Sequence, residues 1–212
     1  MGIRAGGPVA GRQLTQGERS DASKRALVDA TMRIIADEGY RSTTVARIQE
    51  EAGVSRGLVG YHFGSKQGLM EAVLTTIRDS YISQVLQRKE RDLPGLEAIE
   101  LMLDSYLSRL GRDPVPAKVV LVLALESVGD LAELRQAMAT RLAEMRGEFE
   151  EWIVRGIEDG TIRGDADPKG TAVYLGGILR GVTLQFLVDP DGFDLDAARK
   201  AAVSSVVNGL RP

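Results

Sequence analysis

Residues 42–66 read STTVARIQEEAGVSRGLVGYHFGSK, and this stretch carries the strongest structural signal in the chain. It contains two short helical patterns that meet at Gly53, where glycine allows the left-handed backbone of a tight turn. Four apolar residues are spaced to pack the two helices against each other: Ile48, Ala52, Val54 and Val59. Two short helices joined in this way predict a helix-turn-helix, a motif whose second helix enters the major groove of DNA.

The second of these helices has a surface suited to DNA. Ser55 and Arg56 fall in its predicted first turn, and the planar guanidinium of an arginine can bind the O6 and N7 atoms of guanine. Gly57 and Gly60 lie three residues apart and leave a face without side chains. Each glycine inside a helix costs about 1 kcal/mol of stability relative to alanine. This cost would be explained if DNA has to approach the helix closely at these two positions. On composition alone, a flexible loop with a chance arginine fits the stretch equally well.

Helical patterns extend from this motif in both directions. Residues that can cap helices occur four times in the N-terminal third, at Ser20, Thr43, Ser55 and Ser65. The first helix is predicted to run from Ser20 to about Glu38, and the helix that begins at Ser65 to about Arg91. Beyond Pro94 the apolar spacing predicts further helices at about 95–110, 117–128, 130–159, 168–188 and 194–209. Because no segment alternates with a period of two, the predicted fold class is all-α with about nine helices.

Composition excludes several kinds of site. The chain has a single histidine, His62, and no cysteine, so it can form neither disulfides nor thiolate metal sites, and we predict no metal and no cofactor. The longest apolar run, VVLVLAL at 119–125, is far shorter than the roughly 20 residues that span a bilayer. We therefore expect a cytoplasmic protein without a membrane segment.

The charge is unevenly distributed along the chain. Residues 1–68 carry 10 Lys and Arg against 7 Asp and Glu, whereas the remaining residues carry 17 against 23. This small asymmetry favours contact between the N-terminal third and a polyanion. Residues 1–19 are rich in glycine and mildly basic, which predicts a flexible arm, although an inert leader fits them as well.

The region around the motif also resembles a known family. The stretch EGYRSTTVARIQEEAGVSRGLVGYHFGSKQGLMEAVL is similar to the N-terminal DNA-binding domain of TetR-type transcriptional regulators. The resemblance covers roughly residues 21–75, about a quarter of the chain. It is carried by residues at fixed spacing: Gly39, Tyr40, Thr43, Thr44, Ile48, Ala52, Gly53, Val54, Ser55, Gly57, Phe63, Ser65, Lys66 and Leu69.

This resemblance implies roles for individual positions. It implies phosphate contacts from Thr43 or Thr44, from His62 and from Lys66. It places a second set on the groove-facing surface: Ser55, Arg56, Gly57, Gly60 and Tyr61. Many members of the family have a tyrosine in place of Gly60, so one common backbone contact is missing and Tyr61 or His62 would replace it. The alternatives are a packed aromatic at Tyr61 and a solvated helix start at Lys66.

The resemblance further implies a two-part chain. A helix-turn-helix domain at 20–68 would follow the arm at 1–19, and residues 69–212 would bind a small-molecule effector and form a homodimer through the last two helices. Gly176, Gly177 and Gly181 in the segment 168–188 are spaced to allow close helix approach, although packing within one chain also fits. The partners implied are a roughly palindromic double-stranded DNA operator, a second copy of the chain and an unidentified effector, with repression as the usual mode.

The effector contacts are less legible. Glu126 interrupts an apolar run, and a buried carboxylate needs a partner. Polar, aromatic or flexible side chains elsewhere in the half could line a pocket: Met102, Tyr106, Arg109, Trp152, Arg180 and Gln185. The C-terminal half resembles the branch with betaine- and choline-responsive repressors, but only 5% of residues are aromatic, which disfavours a cage for a quaternary ammonium ion.

Two other functions are compatible with an all-α chain but have less support in the residues. A small all-α enzyme would need convergent catalytic groups, and the chain offers one histidine, no cysteine and no phosphate-cradling glycine loop. A helical interaction protein that does not bind DNA would have no need of Arg56 and Lys66 at these positions. A DNA-binding regulator, and not an enzyme, is therefore the function that the sequence favours.

Overall fold

The computed structural model describes residues 15–86 and 93–212, and within these ranges the chain forms nine α-helices and no β-strand. The predicted all-α class is confirmed. The helices are α1 (Gln16–Glu38), α2 (Val45–Glu51), α3 (Leu58–Phe63), α4 (Lys66–Leu86), α5 (Gly95–Leu110), α6 (Val115–Ser127), α7 (Ala132–Glu158), α8 (Pro168–Val188) and α9 (Leu195–Leu210). The five C-terminal helices begin and end within two residues of their predicted positions.

The first helix begins earlier than predicted. Thr15, and not Ser20, is its N-cap: the Thr15 hydroxyl accepts the backbone N–H of Glu18, and the Glu18 carboxylate accepts the backbone N–H of Thr15. This reciprocal pair of hydrogen bonds is a capping box, and Thr-x-x-Glu is a sequence pattern typical of it. Ser20 therefore lies inside α1, and the last residues of the predicted arm at 1–19 are helical. The rest of that arm, residues 1–14, lies outside the described residues.

The caps of the next three helices are partly as predicted. Thr44, and not Thr43, caps α2, because its hydroxyl accepts the backbone N–H of Arg47 at 3.2 Å. Gly57, and not Ser55, stands before α3, with a left-handed φ of 93° and no side-chain cap. Ser65 is confirmed as the cap of α4, since its hydroxyl accepts the backbone N–H of Gly68 at 3.0 Å.

Two hydrophobic cores hold the helices together. The N-terminal core contains buried residues of α1 to α4, among them Leu27, Ile48, Val59 and Leu69. The same core includes residues from later helices: Val119 and Leu123 of α6, and Leu134 and Met138 of α7. Helix α6 therefore packs directly on the helix-turn-helix unit, so the two halves of the chain share one core.

The C-terminal core joins the remaining helices. Leu103 of α5, Phe149 of α7, Leu175 of α8 and Val207 of α9 are buried in it. Helix α7, which spans 27 residues, contributes to both cores and so connects them mechanically. The C-terminal helices thereby form one helical bundle, and α8 keeps several large apolar side chains exposed.

Candidate DNA-binding surface and regulatory interior

Helix α3 is held in place by one buried residue and presents its other side to solvent. Val59 is 2% exposed and packs in the N-terminal core, whereas Gly60 and Tyr61 are exposed. Ser55 and Arg56 are exposed as well, but they lie in the turn before α3 and not in its first turn as predicted. The turn and the helix together form one continuous exposed surface, which we call the α3 surface.

The groove-facing candidates sit on the α3 surface without obstruction. Tyr61 is 77% exposed, so it is not a packed aromatic of the core. A Cβ atom added at Gly60 would meet no protein atom within 4 Å, so no packing within the chain requires glycine there. Gly57 differs, because its positive φ is a conformation that residues with a Cβ rarely adopt.

The two candidate threonines are not equivalent. Thr43 is 0% exposed and its hydroxyl donates to the carbonyl oxygen of Gly39 at 2.9 Å, so it offers no surface to a phosphate. Thr44 is exposed, and because its hydroxyl oxygen accepts from Arg47, the hydroxyl proton remains free to donate. Thr44 is thus the member of the pair whose hydroxyl is exposed and can donate.

His62 braces α3 against α1. Its Nε2 lies 2.8 Å from the Ser23 hydroxyl, which itself donates to the carbonyl oxygen of Ser20 at 2.9 Å. The roles of the His62 ring nitrogens depend on the tautomer: Nε2 donates to the Ser23 oxygen where it carries the proton and accepts from that hydroxyl where it does not. A phosphate contact through the other nitrogen needs a proton on Nδ1. The sequence did not indicate Ser23 as a partner.

Lys66 lies at the first position of α4 and stacks on an aromatic ring. Its Nζ is 4.3 Å from the centroid of the Tyr40 ring, a distance at which the cation is attracted to the ring face. Partial burial lowers the pKa of Lys66 below its usual value. The residue is therefore positioned by the fold and is not a freely solvated helix start.

Two neighbouring arginines, one in α1 and one in α2, form ion pairs within the protein. Arg47 pairs with Glu38 at 2.8 Å and with Glu51 at 3.1 Å, and Arg33 pairs with Glu51 at 3.3 Å. These pairs tie α2 to α1 on the side of the unit away from the core.

Four of the predicted effector residues occupy the interior of the C-terminal half. Met102, Tyr106 and Trp152 belong to the C-terminal core or pack against it, and the Tyr106 hydroxyl lies 3.2 Å from that of Thr183. Arg180 is half-buried beside them, and burial is the main reason that its pKa is lowered. Burial also raises the pKa of Tyr106.

Of the other three, Arg109 borders this group, and Glu126 and Gln185 lie apart from it. Arg109 donates to Ser80 of α4 and covers the ring of Tyr81 at 4.8 Å, and that ring stacks on Tyr106. Glu126 is half-buried near the end of α6, and its carboxylate has a partner outside the interior, Arg41 at 3.5 Å. Gln185 is exposed and its side-chain amide donates to the carbonyl oxygen of Gly181, which removes it from the interior.

Two interior residues were missed by the sequence reading. Tyr81 of α4 stacks on Tyr106 with ring centroids 5.0 Å apart, and within the described part of the chain its buried hydroxyl has no hydrogen-bond partner. Arg141 of α7 is also mostly buried; its Nη1 atom lies 3.7 Å from the Glu144 carboxylate and has no hydrogen-bond partner among the described residues. The sequence could have predicted its burial, because it lies three residues after Met138 and four before Met145, on the apolar face of α7. Among residues 15–86 and 93–212 no cluster of side chains could hold a metal ion.

Comparisons with known proteins cover both halves of the chain. Residues 27–73 match the family model described as bacterial regulatory proteins, tetR family, and residues 95–211 match the model of the BetI-type transcriptional repressor, C-terminal. The HTH-type transcriptional regulator BetI 1 of Chromohalobacter salexigens is 27% identical over 191 residues, which is 88% of this chain and 90% of that protein.

Solved structures show the same fold. A TetR-family transcriptional regulator from Rhodococcus sp. aligns with a TM-score of 0.80 and 24% identity, covering 91% of this chain and all of that one. A transcriptional regulator from Saccharomonospora viridis, solved in complex with choline, aligns with a TM-score of 0.73 and 20% identity over 91% of this chain and 99% of that one. With an exposed α3 surface on a helix-turn-helix unit and family models matching both halves, the chain belongs to the TetR family of DNA-binding transcriptional regulators.

Proposed function

We propose that this regulator is a homodimeric repressor that binds a palindromic operator and releases it when an effector enters the C-terminal half. The observation that carries the proposal is the α3 surface, where Arg56, Gly60 and Tyr61 are all exposed above a helix anchored by buried Val59. Its relatives are transcriptional regulators, which disfavours the alternatives of an enzyme or of an interaction protein without DNA binding. We expect it to act in the cytoplasm, where the DNA is.

In the complex with DNA, the α3 surface would contact the bases, and the residues around it would contact the phosphate backbone of the DNA. Arg56 can donate two parallel hydrogen bonds to a guanine, and the open space at Gly60 would let the groove wall come close. Thr44, Lys66 and a protonated His62 flank this surface and would contact phosphates, which fix register but do not read sequence. Ser55, Gly57 and Tyr61 complete the groove-facing set.

The outer face of α8 supports dimer formation. Val173, Tyr174, Leu184 and Val188 of this helix are between 44% and 76% exposed. Helix α8 is long and apolar enough to cross a membrane, and these four large apolar side chains remain exposed in a single chain. A second copy packed on α8 and α9 would cover it, and the exposed Gly177 and Gly181 would allow close helix approach.

The effect of effector binding would be transmitted to the DNA-binding helices through the shared N-terminal core. We propose the division into residues 20–68 and 69–212 as a functional one, although its boundary falls within α4. An effector that favours one arrangement of α4 and α7 shifts the population of dimers whose two α3 surfaces are spaced for the operator.

DNA binding by the purified protein tests the proposal. The DNA upstream of its own gene serves as the probe in fluorescence anisotropy, at two salt concentrations because phosphate contacts weaken as salt rises. We expect Arg56→Ala to weaken binding by about 10-fold or more, and to relax the preference at the guanine that it contacts. The matched control is Arg163→Ala, an exposed arginine of the C-terminal half that should bind as the unmodified chain does. Equal binding by both variants would contradict the assignment of the α3 surface.

A further inference from the structure

The N-terminal half of α1 lies against the C-terminal end of α3, beside the α3 surface. The Ser23 hydroxyl of α1 is 2.8 Å from Nε2 of His62, although the two residues are 39 positions apart in sequence. One residue further along α1, the ammonium of Lys24 lies 5.9 Å from the centroid of the Phe63 ring. Two consecutive residues of α1 are therefore held against two consecutive residues of α3.

The same residues of α3 lead directly to the α3 surface. The exposed Tyr61 ring meets the His62 ring edge-on with centroids 4.9 Å apart, and the centroids of His62 and Phe63 are 6.0 Å apart. Three successive rings thus connect the groove-facing residues with Lys24. A helix in the major groove has a sugar-phosphate strand on either side of it, so DNA seated on the α3 surface brings one strand past the end of α3.

The Lys24 side chain is available to such a strand. It is exposed, and within residues 15–86 and 93–212 no carboxylate lies within ion-pair distance of its ammonium. Asp21, three residues earlier on α1, is also exposed but does not pair with it. Arg33 and Arg47 differ in this respect, because glutamates of α1 and α2 take up their charges.

Lys66 shows the same arrangement at the start of another helix. Its ammonium lies 4.3 Å from the centroid of the Tyr40 ring, and the family resemblance implies that it contacts a phosphate. An aromatic face holds a long lysine side chain in place without neutralising its charge, so less conformational entropy is lost when a phosphate binds. Because α4 begins three residues after Phe63, both lysines are positioned in this way near the C-terminal end of α3.

We propose that the N-terminal half of α1 is part of the DNA interface, and that Lys24 binds a backbone phosphate next to those contacted by His62 and Lys66. Each DNA strand carries one negative charge per about 3.4 Å of helix axis, so cations along the row of rings face different phosphates of one strand. Lys24 adds affinity and fixes the register of α3 on the duplex, but it reads no base. This inference rests on the proposed function and adds α1 to the elements that touch the operator.

The salt dependence of DNA binding tests the assignment. Fluorescence anisotropy with the upstream DNA and with an unrelated duplex of equal length gives log affinity against log salt for each variant. Lys24→Gln should lower the slope by about one for each bound subunit, and should weaken binding to both duplexes by about 3-fold or more. Lys24→Arg keeps the charge and should bind as the unmodified chain does.

Two controls separate a phosphate contact from other effects of the substitution. Arg163→Gln removes the same charge from the exposed surface of the C-terminal half and should leave the slope unchanged. The thermal midpoint of Lys24→Gln should stay within about 1 °C of the unmodified protein, because substitutions at exposed positions change stability little. An unchanged slope in Lys24→Gln, an equal fall in Arg163→Gln, or a fall that Lys24→Arg shares would overturn the inference. A lowered midpoint with an unchanged slope would assign Lys24 to packing on Phe63 instead.

The same measurements keep failure of this inference distinct from failure of the proposed function. If the unmodified protein binds the upstream DNA and Lys24→Gln loses nothing, α1 lies outside the interface and the proposed function stands. If the unmodified protein binds neither duplex even at low salt, the proposed function is wrong, and the inference is wrong with it.

Discussion

Gly95 and Gly156 lie against each other where α5 begins and the last turn of α7 passes. A Cβ atom added at Gly95 would overlap the backbone of Gly156 and the carbonyl oxygen of Trp152. Because the obstacle is backbone on a neighbouring helix, no side-chain rotation can relieve it. This contact sets how closely α5 and α7 approach in the C-terminal core.

Gly95→Ala should therefore destabilise the protein despite alanine's higher helix propensity. Overpacking of this kind costs about 1–3 kcal/mol or more, which urea unfolding can resolve. Gly147→Ala is the matched control, since that glycine also lies in α7 and an added Cβ would meet nothing within 4 Å. The control should be neutral or more stable by up to about 1 kcal/mol. Equal behaviour of the two variants would mean that the helices can separate freely.

Asp159 should make stability depend on acid pH. Its carboxylate accepts the backbone N–H of Gly95 at 2.8 Å and the hydroxyl of Thr161, so it caps α5 from the end of α7. The hydrogen bond from the Thr161 hydroxyl is the main reason that the pKa of Asp159 is lowered, and the bond from the Gly95 backbone lowers it further. A lowered pKa means that the stabilisation is complete above the ordinary value of about 3.9 and is lost as the pH falls through the native value.

Asp159→Asn replaces one of the two accepting oxygens by an NH2 group and removes the charge, so the protein should lose about 1 kcal/mol of stability at neutral pH, and this deficit should narrow as the pH is lowered. The measurement is the free energy of unfolding from pH 7 to pH 3. Asp165→Asn serves as the control because its carboxylate is exposed and pairs only with Arg163. A deficit that stays constant with pH would argue against an ionised cap.

Gly57 and Gly60 should respond in opposite ways to alanine. Gly57→Ala places a Cβ at a left-handed φ of 93°, which costs about 1–2 kcal/mol. Gly60→Ala falls in the middle of α3 with open space around it, and should stabilise the protein by up to about 1 kcal/mol. Thermal unfolding of the two variants side by side measures this, and a loss of stability at Gly60 would indicate packing that α3 does not show.

Leu123 should affect DNA binding although it lies in α6. It is 0% exposed and packs in the N-terminal core with α1 and α4, so Leu123→Ala should cost about 2–5 kcal/mol and lower operator affinity at 37 °C. Leu125→Ala, two residues away and 60% exposed, should change neither quantity by a measurable amount. Both variants should unfold in a single transition, because one core joins the two halves. Two separate transitions would show that the halves fold independently.

Lys66 should contribute affinity without sequence preference. Lys66→Gln removes one positive charge at the start of α4, so the slope of log affinity against log salt should fall by about one. The loss should be equal for the operator and for unrelated DNA, in contrast to Arg56→Ala. An unchanged slope would mean that the stacking on Tyr40 keeps Lys66 away from phosphates.

The parts of this fold that depend on local pattern were predictable. Helices of the C-terminal half are bounded by Gly, Pro and Asp, and their ends lie within two residues of where the sequence puts them. The Ser65 cap and the left-handed turn at Gly53 depend only on neighbours in sequence, and both predictions are confirmed. The capping box of Thr15 was equally local and was overlooked because the preceding residues show no apolar periodicity.

Features that join distant segments could not be read in the same way. The bond between His62 and Ser23 spans 39 residues, and the cap that Asp159 provides for Gly95 spans 64. The partner of the half-buried Glu126 carboxylate is Arg41, which precedes α2 and is distant in sequence. Such partners depend on which helix faces cross, and helical periodicity fixes only which face of a helix is buried, not what lies against it.

The shared N-terminal core also limits how the molecule can be divided. A fragment ending near residue 86 would keep α1 to α4 but lose Val119, Leu123, Leu134 and Met138, which cover one side of them. Such a fragment would expose apolar surface and tend to aggregate. A chimaera that borrows this DNA-binding unit for another effector domain must therefore also carry α6 and the first turns of α7, or replace their contacts with a matching apolar face.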